Sequence, residues 1–126
     1  MNVADRMSSG LLTTEPGASL RDAARQMVER RVGSILVCDG ERLVGILTER
    51  DVLGLFARGE LEARVADVMT RNPETVEPDE SLAQARLVML HGGFRHLPVV
   101  DRGRVIGMLS LRDLLAASDD EAPRGV

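Results

Sequence analysis

The sequence predicts a mixed α/β fold, α+β in arrangement, made of two pseudo-symmetric β-α-β-β-α units packed on each other. Three observations predict it. The 126-residue chain matches itself, without a gap, at an offset of about 62 residues. Each copy carries one helix-period stripe followed by two short apolar runs around a tight turn. A unit of about 50 residues is too small to bury its own sheet well, and a second copy solves that.

The repeat is dense. Val3-Ala4-Asp5-Arg6-Met7 falls on Val65-Ala66-Asp67-Val68-Met69, Thr13, Glu15 and Pro16 on Thr75, Glu77 and Pro78, and Ser19-Leu20 on Ser81-Leu82. Met27 falls on Met89, Val37 and Asp39 on Val99 and Asp101, and Gly45, Leu47, Arg50 and Asp51 on Gly107, Leu109, Arg112 and Asp113. About 19 of some 51 paired positions are identical, which is far above chance, so the duplication is treated as real.

Taken in order, each copy begins with a short opening segment and a brief strand, near Leu11 to Thr14 and Glu74 to Val76. A helix follows. Ser19 can cap the first, and Leu20, Ala23, Ala24, Met27 and Val28 mark its apolar stripe. Ser81 and Gln84 suggest a capping box for the second, with Leu82, Ala85, Met89 and Leu90 on the stripe. Two hairpins come next: Ser34–Cys38 with Leu43–Leu47, and Leu97–Val100 with Val105–Leu109. A second helix closes each copy, Glu49–Arg58 and Leu111–Ala117. The expected organisation is a first motif over 1–58, a connector over 59–64, a second motif over 65–117, and a flexible acidic tail over 118–126.

Composition narrows the function. Aromatics are limited to Phe56 and Phe94, so a stacking surface for single-stranded nucleic acid is not expected. Net charge is −4, and all 16 basic residues are Arg, which argues against a broad nucleic-acid footprint. Cys38 is the single cysteine and reads as a small buried hydrophobe. Neither a charged-then-apolar leader nor an apolar run of membrane length occurs, so the expectation is a cytoplasmic protein without membrane contact. There is no Lys for a phosphate-loop motif, no paired metal spacing, and no nucleophile with a base at workable spacing. The sequence is therefore read as no enzyme, with no metal and no required cofactor.

One pattern recurs where each hairpin runs into its closing helix: Gly45-Ile46-Leu47-Thr48-Glu49-Arg50-Asp51 and Gly107-Met108-Leu109-Ser110-Leu111-Arg112-Asp113. A hydroxyl followed three positions later by an acid is close to a capping box. The same geometry suits a nucleotide. A helix N-terminus offers N–H groups to an anion, the hydroxyl can bond phosphate, and the carboxylate can accept two bonds from vicinal ribose hydroxyls. Both readings stand on sequence alone. Arg50 and Arg112, about 100° around the helix from the acids, read as salt-bridging residues. The recurring Met7, Met27, Met69 and Met89 read as core filling.

Together, the doubled β-α-β-β-α unit, the Asp-x-Met openings, the strand Arg95-His96-Leu97-Pro98-Val99-Val100-Asp101 and the two Gly-x-x-[Thr/Ser]-x-x-Asp endings resemble a tandem pair of CBS domains, a Bateman module, over about Val3 to Leu115. The resemblance implies two motifs packed sheet to sheet and adenosine ligands (AMP, ADP, ATP, S-adenosylmethionine or similar) bound in two clefts between the halves. It implies that Asp51 and Asp113 hold ribose hydroxyls, with Thr48 and Ser110 beside them. Arg95 and His96 would reach the phosphates, against the uncharged Gly33 and Ser34 of the first copy; His96 can equally be a packing residue. Val32 and Phe94 would pack on adenine, and the stretches Ser8 to Thr13 and Thr70 to Thr75 would read its edge, giving Thr13, Thr70 and Thr75 as contacts. One cleft would combine Asp113, Ser110, Arg95 and His96 with Val32, and the other Asp51, Thr48 and Ser34 with Phe94. The Asp113 cleft is then the stronger for charged nucleotides, and the Asp51 cleft is weaker, empty or suited to a less charged ligand.

The expected role is a ligand-sensing regulator acting on an unknown protein partner in trans, with homodimerisation through Leu53, Leu55 and Phe56 and through Leu114 and Leu115, unless these face their own core. The alternative is a dimerisation or protein-interaction module with vestigial clefts. A DNA-binding regulator lacks a basic recognition helix.

Overall fold

The computed structural model describes residues 1–115. The expected acidic tail, and the end of the closing helix at Ala117, lie outside the described residues. The chain forms two compact units, one of Leu11–Pro73 and one of Met1–Gly10 together with the chain from Glu74 onward.

In the Leu11–Pro73 unit the elements are β1 (Thr13–Thr14), α1 (Leu20–Arg30), β2 (Ser34–Asp39), β3 (Arg42–Thr48), α2 (Glu49–Ala57), α3 (Val65–Val68) and β4 (Thr70–Arg71). The sheet order is β1-β2-β3-β4, with β1 parallel to β2 and the other pairs antiparallel. Helix α1 starts where Ser19 Oγ accepts the Asp22 N–H at 3.1 Å, and it ends on Arg31 in the left-handed region. Its stripe is narrower than expected. Leu20, Ala23 and Met27 are buried, whereas Val28, a further 100° around, is exposed. The core joins Leu20, Ala23 and Met27 to Ile35, Val37, Leu47, Leu55 and Val65.

The other unit repeats this plan with a 3-10 turn (Val3–Asp5), α4 (Leu82–Gly92), β5 (His96–Asp101) and β6 (Arg104–Ser110). A closing helix, α5, is described over residues 111–115. The flanking strands of the first sheet shrink here to single bridges, Val76 with Val99 and Ser8 with Met108. The brief strand expected near Glu74 to Val76 is thus one bridge. Of the capping box expected at Ser81, one half forms: Ser81 Oγ accepts the Gln84 N–H at 3.0 Å. Leu82, Ala85, Met89, Leu97, Val99 and Leu109 build the core with Val3, Val76 and Leu114, while Leu90, the counterpart of Val28, is exposed. Both hairpins carry a register irregularity at the same place, between Val37 and Cys38 and between Val99 and Val100.

Each unit combines one repeat with the opening segment of the other. Val65 and Ala66 donate their N–H groups to Ala18 and Pro16, and Leu20 donates to Ala63. Val3 and Ala4 donate to Glu80 and Pro78, and Leu82 donates to Met1, which is the same set one repeat removed. This exchange explains the glycine of the recurring pattern. A Cβ on Gly45 would lie 2.5 Å from Met69 Sδ and 3.0 Å from the Thr70 carbonyl oxygen. On Gly107 it would lie 2.5 Å from Met7 Sδ and 3.1 Å from the Ser8 carbonyl oxygen. The opening segment crosses the sheet so closely that only glycine fits.

Among the described residues no helix is long and apolar enough to cross a membrane, and no three His, Cys, Asp or Glu side chains form a metal-sized group. Cys38 is buried, and burial pushes its thiol up, so it stays protonated at neutral pH.

Candidate functional site

The two Gly-x-x-[Thr/Ser]-x-x-Asp segments form matching strand-to-helix junctions, β3 into α2 and β6 into α5. Thr48 takes an extended conformation and caps α2: its Oγ1 accepts the Asp51 N–H at 3.2 Å, and its own N–H donates to Asp51 Oδ2 at 2.9 Å. At the second junction Ser110 Oγ accepts the Asp113 N–H at 3.2 Å, and the Ser110 N–H donates to Asp113 Oδ2 at 2.7 Å. The Ser110 hydroxyl also donates to Asp113 Oδ2, at 2.9 Å. Both carboxylates are half-buried, and each spends Oδ2 on its own cap. Oδ1 of each accepts nothing from the described residues and keeps its capacity for a ligand hydroxyl. Capping thus occupies one oxygen of each side chain and leaves the other without a partner among the described residues.

The helix ends offer an anion less than the sequence suggests. The first amide of α2, from Glu49, donates to the Gly33 carbonyl at 2.9 Å, and the first of α5, from Leu111, donates to the Arg95 carbonyl at 2.8 Å. The third amide in each case goes to the capping hydroxyl. Only the second amide is left of the first three, so charge on a ligand must be met mainly by side chains.

The candidate side chains adjoin the junctions. Register places His96 opposite Ser110 and Ser34 opposite Thr48, at the strand ends that adjoin the junctions. Arg95 is exposed, His96 is half-buried, and Ser34 is buried. Val32 and Phe94 each follow the left-handed residue that ends the preceding helix, and both are exposed to the same degree, 39%. Thr13, Thr70 and Thr75 are exposed, Thr70 on β4 opposite Ile46. The Leu11–Pro73 unit holds Asp51, Thr48, Ser34, Val32, Thr13 and Thr70, and the other holds Asp113, Ser110, Arg95, His96, Phe94 and Thr75.

Arg50 and Arg112 depart from expectation, since neither makes an ion pair among the described residues. Arg50 and Asp51 instead line a cleft of about 490 Å³ on the Leu11–Pro73 unit, with Gly54, Leu55, Arg58, Glu60, Asp67 and Val68. Sequence reasoning did not single out Asp67 or Arg58. The repeated Val-Ala-Asp opening carried the available signal for Asp67, an acid that recurs beside core positions without serving the core. Of the closing-helix residues, Leu55 and Leu114 are buried in their own units, whereas Leu53, Phe56 and Leu115 are exposed.

The CBS domain family matches this chain twice, at residues 3–58 and 65–120. Among solved structures, CBSX2 in complex with AMP is 31% identical, covers 94% of this chain and 96% of that one, and superimposes with a TM-score of 0.84. The CBS domain pair of protein MJ0100, in complex with 5′-methylthioadenosine and S-adenosyl-L-methionine, is 25% identical, covers 97% and 98%, and gives a TM-score of 0.91. The CBS domain-containing protein YhcV of Bacillus subtilis is 33% identical over 115 residues, which is 90% of this chain and 82% of YhcV. Other relatives are longer: the chain spans 64% of a 17.7 kDa protein of Acidianus ambivalens and 20% of the CBS domain-containing protein CBSCBSPB5 of Arabidopsis thaliana. With both repeats matched in register and the fold shared along nearly its whole length, this chain belongs to the CBS domain family, as a tandem pair of its motifs.

Proposed function

We propose that this chain is a regulatory module that binds an adenosine-type ligand: AMP, ADP, ATP, S-adenosylmethionine or a close relative. The observation that carries the reading is the duplicated junction, in which a half-buried carboxylate keeps Oδ1 open beside a strand end whose polar residues differ between copies. The structures of CBSX2 with AMP and of the MJ0100 pair with 5′-methylthioadenosine and S-adenosyl-L-methionine support the ligand class. Asp113 with Ser110, Arg95 and His96 takes the more charged ligand. Asp51 with Thr48 and Ser34 takes a less charged one, or binds more weakly. Val32 and Phe94 pack on the base, and Thr13, Thr70 and Thr75 lie near its edge.

Output follows from population shift, since a ligand that contacts one conformation better than another favours it. The exposed Leu53, Phe56 and Leu115 provide apolar surface for a homodimer, and the signal passes to a protein partner in trans. No catalytic step is assigned to the chain.

Calorimetric titration with AMP, ATP and S-adenosylmethionine tests this. Binding of at least one, weakened by Asp113→Ala or Asp51→Ala, is the expected result. The use of Oδ2 and of the helix amides in capping favours a second reading, a dimerisation or interaction module whose clefts are vestigial. Absence of binding by all three ligands would select it.

A further inference from the structure

The copies differ at a linked pair of positions. Where the first has Arg30 and Val32, the second has Gly92 and Phe94. Gly92 is the last residue of α4, and its backbone does not require glycine. The left-handed turn that ends the helix falls on Gly93, at φ 70°, and Gly92 has no positive φ. Glycine within a helical turn is unfavourable relative to alanine, so its presence needs another cause. The ring of Phe94 supplies one. A Cβ on Gly92 would lie 2.0 Å from Phe94 Cε2, 2.5 Å from Cδ2 and 2.8 Å from Cζ. The edge of the ring therefore rests on the bare backbone of the helix end. The first copy carries a long side chain at the equivalent position, and its smaller Val32 needs no such shelf.

We infer that Gly92 is a positioning residue: it lets the Phe94 ring lie against the end of α4 and so fixes the plane presented to the adenine base. This rests on the adenosine reading above, and it names the determinant that makes Phe94 an ordered stacking partner. Stacking depends on the angle and offset of the two planes, so a ring displaced from its shelf contacts the base less well. The displaced group is the far end of a partly exposed side chain, and Gly92→Ala therefore moves the ring without unfolding the unit.

The test uses the full chain and four proteins: wild type, Gly92→Ala, Phe94→Val and the double variant. With no Trp or Tyr, the aromatic NMR region holds only two Phe and two His, so the Phe94 ring is directly readable. AMP and 5′-methylthioadenosine are the probes. In the free wild type, ring protons of Phe94 show NOEs to the Gly92 Hα protons. Gly92→Ala keeps or raises the melting temperature, shifts the ring resonances and weakens probe binding roughly tenfold, the scale of one lost base–aromatic stack. In the Phe94→Val background the same substitution changes affinity little, because Val at this position tolerates a side chain two residues before it. Equal binding by wild type and Gly92→Ala, an equal loss in both backgrounds, or absence of the NOE overturns the positioning role while leaving the adenosine reading intact. Failure of wild type to bind AMP, 5′-methylthioadenosine, ATP and S-adenosylmethionine removes the adenosine reading itself.

Discussion

The two units share a scaffold and differ at its rim. Leu20, Met27, Ile35, Val37 and Leu47 have their counterparts in Leu82, Met89, Leu97, Val99 and Leu109, and all ten are buried. Both junctions carry a reciprocal cap, and both sheets receive an opening segment from the other repeat. Beside the junctions the copies differ at Gly33-Ser34 against Arg95-His96, at Arg30 and Val32 against Gly92 and Phe94, and in the hydroxyl of Ser110, which donates where that of Thr48 does not. Duplication has held the core and the carboxylate–hydroxyl junctions, while the strand-end and helix-end positions beside those junctions have diverged. Equivalence of core and inequivalence of rim are separately measurable.

The largest effects test the shared core. Leu47→Ala and Leu109→Ala each remove a fully buried side chain from a core, one residue pair from the open end of a hairpin, and each is expected to cost about 2–5 kcal/mol, read by urea denaturation. Costs that agree within about 1 kcal/mol support equivalent cores. A much smaller loss for Leu109 would mean that the sheet with single-bridge flanks packs less tightly.

The crossing glycines come next. Gly45→Ala and Gly107→Ala drive a methyl group into a thioether and a backbone carbonyl, and the carbonyl cannot swing aside as a side chain can. A loss of about 1–3 kcal/mol is expected in each, the usual scale of overpacking. Adding Met69→Ala to the first variant, or Met7→Ala to the second, should relieve the sulfur clash but not the carbonyl contact. Full recovery in thermal melts would show that the backbone is freer to move than the geometry implies.

The rim is tested by making the second unit resemble the first. Arg95→Gly with His96→Ser is expected to weaken ATP binding about ten- to a hundredfold, the scale of one or two bonds to charged groups, and to flatten its salt dependence. The reverse exchange is not symmetrical. Ser34 is buried, at 7% exposed, so Ser34→His has no room and should destabilise the chain before it creates a phosphate site. An unaltered ATP affinity in the first variant would remove the assignment of the stronger charged-ligand site to Asp113.

What the sequence showed and what it hid follow from the range of each interaction. The repeat, both hairpins and the starts of α1, α2 and α4 were legible because they rest on local periodicity and on caps three residues long. Strand β4 was hidden, because two residues carry no alternation and Thr70 pairs with the distant Ile46. The exchange of opening segments was hidden for the same reason, although Met7 and Met69 recur as visibly as the glycines they cover. At the candidate site, residue types and spacing identified the carboxylates and their hydroxyls. They could not show that Gly33 and Arg95 carbonyls occupy the first helix amides, since backbone bonds leave no mark on side-chain pattern. Nor could a helical stripe show that Val28 and Leu90 fall just beyond its buried edge.

The smallest expected effect bears most directly on how a cap and the proposed ligand site share one side chain. Thr48→Ala orphans the Asp51 N–H, and Ser110→Ala does the same to Asp113, at a cost of about 1 kcal/mol each. Ser110→Ala also removes a donor from Asp113 Oδ2, which keeps only the Ser110 backbone N–H, so it should cost a few tenths of a kcal/mol more than Thr48→Ala. Ligand binding is a second, separate quantity. Thr48 and Ser110 also stand in the proposed ligand sites, and Oδ1 of both carboxylates is untouched by either substitution, so any affinity lost reports the hydroxyl itself. Thermal melts paired with AMP titration of both variants read the two quantities separately. A fall of AMP affinity alongside stability in Ser110→Ala is the expected result, since Ser110 belongs to the proposed Asp113 site. Stability lost with affinity retained would confine the Ser110 hydroxyl to the cap and leave Asp113 Oδ1 as the ligand contact at this junction.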